Sequence, residues 1–204
     1  MEVGDIIEIE PDVLVPGGDA LARVDGLPLF VRPLYPGDRA RVRVTERKKG
    51  YARAEVVEIV REGLERRAQP CPVAEECGGC DWTALRLDRQ LHWKRRILLD
   101  ALRRTGKFDL ERLPPVRVHT SPLQYRLRSR LQVSPDGALG FFAERTNRVV
   151  PLPVECEVVG PATIGALDAL REVAERERPA AIELLEGDAG LVVVWPRRPG
   201  ASLF

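Results

Sequence analysis

The sequence predicts a mainly β protein of the α+β class, in which a small barrel leads into a second part that combines helices with an antiparallel meander. Three observations predict it. Residues 1 to 67 are a succession of short alternating runs broken by Pro16-Gly17-Gly18, Asp25-Gly26, Pro36-Gly37-Asp38 and Lys48-Lys49-Gly50. Residues 81–105 carry helical periodicity bounded by Asp81 and Gly106. Between them lies Cys71-Pro-Val-Ala-Glu-Glu-Cys77-Gly-Gly-Cys80, which holds three of the chain's 4 cysteines, the other being Cys156.

In the first part, alternation is clearest in Ile7-Glu8-Ile9-Glu10, in Ala40 to Val44 and in Ala54 to Ile59, so each strand turns one face inward and one to water. About five such strands close or nearly close a barrel of the oligonucleotide-binding type. A barrel of this kind serves either as an RNA reader or as a plain scaffold. Residues 68–204 form the second domain.

The cysteine run is held extended by Pro70 and Pro72 and allowed to turn at Gly78-Gly79. Cys71, Cys77, Cys80 and Cys156 together can complete a four-thiolate centre, and glycine amides near such a centre can donate to its sulfurs. Zinc sites usually pair two short C-x2-C knuckles, whereas this chain has a triplet and a distant singlet. Iron–sulfur and zinc both remain open at this point. In reducing surroundings clustered thiols are ligands before they are disulfides. His92 and His119 adjoin no cysteine, so a thiol–histidine catalytic pair is not indicated.

Asp81 is the expected N-cap of the helix 81–105, and Gly106 its stop. Ala84, Leu87, Leu91, Ile97, Leu98, Ala101 and Leu102 fall on one face, with Lys94 among them, and Arg89, Arg96 and Arg103 line the other. That arginine stripe is either a solvated face or an RNA contact. After Pro114-Pro115, the stretch Tyr125 to Val133 alternates, with Leu127, Leu131 and Val133 on one side and Arg126, Arg128, Arg130 and Gln132 on the other. Arginines spaced roughly 7 Å apart suit a phosphate backbone, and equally suit a charged sheet edge. Ser134-Pro-Asp-Gly137 and Arg145-Thr-Asn-Arg148 are turns bounding a strand Ala138 to Ala143, in which Phe141 or Phe142 serves either the core or a base. Pro161 to Arg178 is expected to be one helix, and Ala181 to Leu185 and Leu191 to Trp195 a hairpin.

The net charge is +1, yet Arg86 to Arg148 contains 15 Lys and Arg against 6 Asp and Glu, while the tail from Val149 onward holds 5 against 9. A basic middle of this kind faces a polyanion, with nucleic acid the first expectation. Arg126, Arg128, Arg130, Phe141, Arg145, Arg148, Arg89 and Arg96 are the candidate RNA contacts. No apolar stretch reaches membrane-spanning length and no secretory leader is evident, which leads to the expectation of a cytoplasmic monomer with no membrane partner.

The wording of the first part is similar to the TRAM domain, a small RNA-binding barrel. The likeness lies in Val3-Gly4-Asp5, Gly17-Gly18-Asp19-Ala20-Leu21-Ala22-Arg23, Leu29-Phe30-Val31 and Leu34-Tyr35-Pro36-Gly37-Asp38. With the three-cysteine spacing, Gln90-x3-Lys94 and Gly140-Phe141-Phe142 ahead of Arg145 and Arg148, the chain resembles the RNA uridine-5-methyltransferases. The resemblance implies a [4Fe-4S] cluster on Cys71, Cys77, Cys80 and Cys156, and ribosomal or transfer RNA as partner. It also implies a final domain that binds S-adenosylmethionine and supplies a nucleophilic cysteine and a base. No glycine-rich turn after a strand and no spare cysteine is found here, so no catalytic residue is assigned and S-adenosylmethionine is expected only where a catalytic domain accompanies the chain. Pro199 to Phe204 looks like an arbitrary end, which favours a fragment over a shortened relative. The competing expectation is a stand-alone RNA-binding module stapled by zinc or iron–sulfur.

Overall fold

The computed structural model describes residues 1 to 195; Pro199 to Phe204 lie outside them. The chain divides into two compact units. The first comprises Met1–Ala68 and Asp81–Thr120, and the second comprises Gln69–Cys80 and the chain from Ser121 onward. The sequence predicts one domain over all of residues 68–204, whereas Asp81–Thr120 clusters with Met1–Ala68.

In the first unit the strands are β1 (Ile6–Ile9), β2 (Val13–Leu14), β3 (Ala20–Val24), β4 (Leu27–Arg32), β5 (Arg39–Arg47) and β6 (Ala52–Arg61), in the order β1-β5-β6-β4-β3-β2. All pairs are antiparallel except β4 with β6. Asp25-Gly26, both at positive φ, make the two-residue turn that joins β3 to β4. The sheet curls because one core is shared by all its strands: Ile9, Leu14, Ala20, Ala22, Leu29, Val31, Ala40, Val42, Val44 and Ala52 are buried together. Strand β5 shows the rule most cleanly. Its Ala40, Val42 and Val44 point inward, while outward Arg41 and Arg43 pair with Glu58 at 3.4 Å and Glu55 at 3.1 Å on β6.

The helix α1 spans Leu87–Arg104, so it begins six residues later than Asp81 suggests. The reason is that the preceding groups are already engaged. Asp81 pairs with Arg32 at 3.0 Å, Trp82 donates its indole N–H to the Gly18 carbonyl at 3.3 Å, and Arg86 N bonds the Glu65 carbonyl at 2.9 Å. The inward face also differs from the expected one. Trp93 is the helix's one buried residue, whereas Leu87 and Leu98 are exposed. Arg89 reaches Glu65, Trp93 donates its indole N–H to the same carboxylate at 2.7 Å, and Arg96 lies 4.9 Å from the Trp93 ring centre. Two members of the arginine stripe therefore flank the anchoring tryptophan, Arg89 partly covered and Arg96 exposed. Trp93→Phe keeps the ring but removes a bond to a charged acceptor. The first unit should lose about 2 kcal/mol, read by urea unfolding.

In the second unit β7 (Arg128–Val133), β8 (Leu139–Phe142), β9 (Val149–Pro151), β10 (Ala181–Gly187) and β11 (Gly190–Val194) form one sheet in the order β11-β10-β7-β8-β9, antiparallel throughout. The meander and the terminal hairpin are thus as expected. Strand β7 starts at Arg128 rather than Tyr125, and its buried residues are Ser129 and Leu131, with Leu127 exposed. The single helix expected over Pro161 to Arg178 is two, α2 (Pro161–Gly165) and α3 (Leu167–Glu177), broken at Ala166. Leu131, Leu139, Leu152, Leu167, Leu170, Ile182 and Leu184 build this unit's own core. Among the described residues no helix is long and apolar enough to cross a membrane.

Candidate metal centre and nucleic-acid face

All four cysteines fall in the second unit, and all are free thiols. The run 71–80 is a chain of tight turns: Ala74 N bonds the Cys71 carbonyl at 3.3 Å, and Cys77 N bonds the Val73 carbonyl at 2.8 Å. It is fastened to the meander by Gly78 N, which donates to the Phe142 carbonyl at 2.9 Å, by a bridge between Cys77 and Ala143, and by Glu76 paired with Arg148 at 2.9 Å. Both glycines are needed for close approach. A Cβ on Gly78 would stand 2.9 Å from the Phe142 carbonyl oxygen, and one on Gly79 would stand 3.3 Å from the Cys77 sulfur. Gly79 N donates to that sulfur at 3.4 Å. Cys156, almost wholly buried in the unit's core, sits on the turn after β9, its N–H on the Pro153 carbonyl at 3.3 Å.

The thiols feel one another. Burial first, and then Cys156, pushes the Cys80 thiol up to about 11, with Cys77 and Cys71 adding to the rise and the Arg126 guanidinium opposing it. Burial likewise raises Cys71 and Cys77, each also sensing Cys156. These groups hold their protons near neutrality, so a metal that takes them as thiolates must release those protons. The Arg126 charge acts on both Cys77 and Cys80. It donates to the Gly79 carbonyl at 3.3 Å and lies 5.5 Å from the Phe141 ring centre, which packs beside Gly79.

Among the described residues no three His, Cys, Asp or Glu side chains close on a point fit for a single ion. A zinc held by four sulfurs at about 2.3 Å would need those sulfurs within about 4 Å of one another. In a four-iron cluster each thiolate meets a different iron, so the ligands stand further apart. Four soft thiols, the glycine cradle and the amide aimed at Cys77 form a donor set that either group can use.

The candidate RNA contacts are dispersed. Arg128 and Arg130 stand exposed on one face of β7, the latter 3.9 Å from Glu183. Arg126 leaves that ribbon for the thiols, and Phe141 goes beneath it. Arg145 is exposed beside Glu144 at 3.3 Å, and Arg148 holds Glu76. Arg89 and Arg96 belong to the first unit. Sequence reasoning gave Arg126 to the phosphate face because strict alternation was extended past the strand's end, and nothing local in sequence links it to Gly79.

The chain matches the model of the TRAM domain over residues 2–57. More particularly, it is homologous to proteins named RNA methyltransferase, uracil-C5 enzymes among them. It is 36% identical over 197 residues to the 23S rRNA (uracil(1939)-C(5))-methyltransferase RlmD of Bordetella parapertussis, covering 93% of this chain and 42% of that one. It is 32% identical over 157 residues to an uncharacterised RNA methyltransferase of Halalkalibacterium halodurans, covering 76% and 34%. Among solved structures it resembles the Pyrococcus abyssi tRNA (uracil-54, C5)-methyltransferase in complex with S-adenosyl-L-homocysteine, with TM-score 0.62 and 25% identity over 95% of this chain and 47% of that one. The chain thus spans less than half the length of these relatives.

Proposed function

We propose that this chain is the RNA-recognition and iron–sulfur portion of an S-adenosylmethionine-dependent RNA uracil-C5-methyltransferase acting on ribosomal or transfer RNA, with the catalytic domain lying outside these residues. The observation that carries the reading is the similarity over 93% of the chain to a 23S rRNA (uracil(1939)-C(5))-methyltransferase, beginning with a TRAM barrel. Cys71, Cys77, Cys80 and Cys156 would hold one [4Fe-4S] cluster. Its contribution is to pin the run 71–80 to the turn at Cys156; the chemistry on uracil belongs to groups elsewhere. Arg126 balances thiolate charge beside Gly79, and Arg128 and Arg130 present the phosphate-facing charge.

Anaerobic purification with metal and sulfide analysis tests the cluster. Iron and labile sulfide in equal amounts are expected, and a colourless protein with one zinc would replace this reading by a zinc-stapled module. Extending the chain with the coding sequence downstream should give transfer of labelled methyl from S-adenosylmethionine to uracil in RNA, and its failure refutes the enzyme assignment. For the RNA face, Arg128→Ala with Arg130→Ala should weaken binding at low salt. The salt dependence of log K should fall by about 1.4 in slope, at roughly 0.7 per single-strand phosphate contact. An unchanged slope removes these two arginines from the interface.

A further inference from the structure

We propose that a groove on the outer face of the second unit's sheet seats one nucleotide of single-stranded RNA, its base stacked on Phe142. The proposal rests on the RNA-binding reading above and adds the conformation of the RNA and the place where it is held.

The cross-strand register defines the face. Gln132 lies opposite Gly140, Gly140 opposite Pro151, and Phe142 opposite Val149. Directly paired residues project to the same side of a sheet and neighbours along a strand to opposite sides. Arg128, Arg130, Gln132 and Phe142 therefore share one face, and Phe141 belongs to the other. Phe141 is half-buried beside Arg126, whereas Phe142 is 38% exposed. The face is mixed: besides Arg128 and Arg130 it carries Glu183 and the exposed Leu185, Val192 and Val194.

The groove beside it has a volume of about 770 Å³ and is lined by Phe142, Gln132, Asn147, Arg148 and Pro151 among others. Gly140 lies between Gln132 and Pro151 in the register, with the backbone around Val150 packed directly against it. The position is closed to other residues, since a Cβ there would run into the Val150 carbonyl oxygen. The volume falls within the range of sites for small organic groups, about 300–1,000 Å³. Its chemistry fits a nucleotide base: an aromatic for the base plane and the amides of Gln132 and Asn147 offering both donors and acceptors to a base edge, with one arginine, Arg148, and one carboxylate, Asp136, also in the lining. A base can lie on Phe142 only when it has left its own stack, which selects single-stranded over duplex RNA.

The test is fluorescence anisotropy with a single-stranded RNA oligomer of mixed sequence and with a duplex of the same length, at rising salt. The parent should bind the single strand more tightly. Phe142→Ala should lower that affinity about tenfold without altering the salt slope, Phe142→Trp should retain it, and duplex binding should be unaffected by either. Circular dichroism confirms that the exposed position tolerates the changes. If Phe142→Ala binds the single strand like the parent while Arg128→Ala with Arg130→Ala binds weakly, the seat is refuted and the RNA reading stands. Equal weakening toward both RNAs also refutes it. A parent that binds neither RNA overturns both.

Discussion

Cys156→Ser is expected to yield a protein with little iron or labile sulfide, a loosened second unit and an intact barrel. Cys71, Cys77 and Cys80 lie within ten residues of one another, but Cys156 arrives from the far side of the meander. Closing a loop of that length costs about 4 kcal/mol of chain entropy, which cluster ligation offsets only while the fourth ligand is present. The loosening has a bound, because the run keeps anchors that need no metal: Gly78 N on the Phe142 carbonyl, the bridge from Cys77 to Ala143, and Glu76 on Arg148. Hydrogen exchange separates these effects. Protection should fall in Cys71 to Cys80 and around Cys156, fall less in β7 and β8, and stay unchanged in β3 to β6, whose core is a separate cluster. Parent-level iron and sulfide in the variant would remove Cys156 from the ligand set.

What the sequence disclosed and what it hid divide along physical lines. The barrel strands were legible because each buries one face, so polarity alternates in the text itself, as in Ala40 to Val44. The likeness to the TRAM domain was carried by runs such as Leu34-Tyr35-Pro36-Gly37-Asp38, and residues 2–57 match that domain's model. Helix α1 was misplaced because its rules are local, while the groups that decide its start are distant: Arg32 takes Asp81 and Gly18 takes Trp82. Its inward face was misassigned for a related reason. An arginine with a partly buried carboxylate partner or an aromatic ring beneath it looks, in a list of residues, like one in water, and Glu65 lies 24 residues from Arg89. Arg126 shows the same limit, since its partner Gly79 is 47 residues away. The groove could not be foreseen because it gathers Gln132, Phe142 and Asn147 from separate stretches, which only the strand register brings together.

The largest effect on the first unit is expected from Asp38→Ala. Asp38 is fully buried, yet its carboxylate has three partners: Tyr35 N at 2.7 Å, Gly63 N at 2.8 Å and the Arg66 guanidinium at 2.8 Å. It ties the turn between β4 and β5 to the chain leaving β6, and Arg66 in turn lies 4.8 Å from the Tyr35 ring centre. Removing the carboxylate leaves an arginine with 11% of its side chain exposed facing no charge, along with two amides robbed of their acceptor. Breaking a buried pair in this way costs about 3–5 kcal/mol, a large share of the 5–15 kcal/mol that usually holds a domain together. Asp38→Asn should recover only part of the loss, because an amide brings one acceptor oxygen and turns two donor hydrogens toward groups that are themselves donors. Urea unfolding followed by the fluorescence of Trp82 and Trp93 reads the first unit. A loss below about 1 kcal/mol for Asp38→Ala would show that solvent replaces the carboxylate, and that the turn is held by its backbone alone.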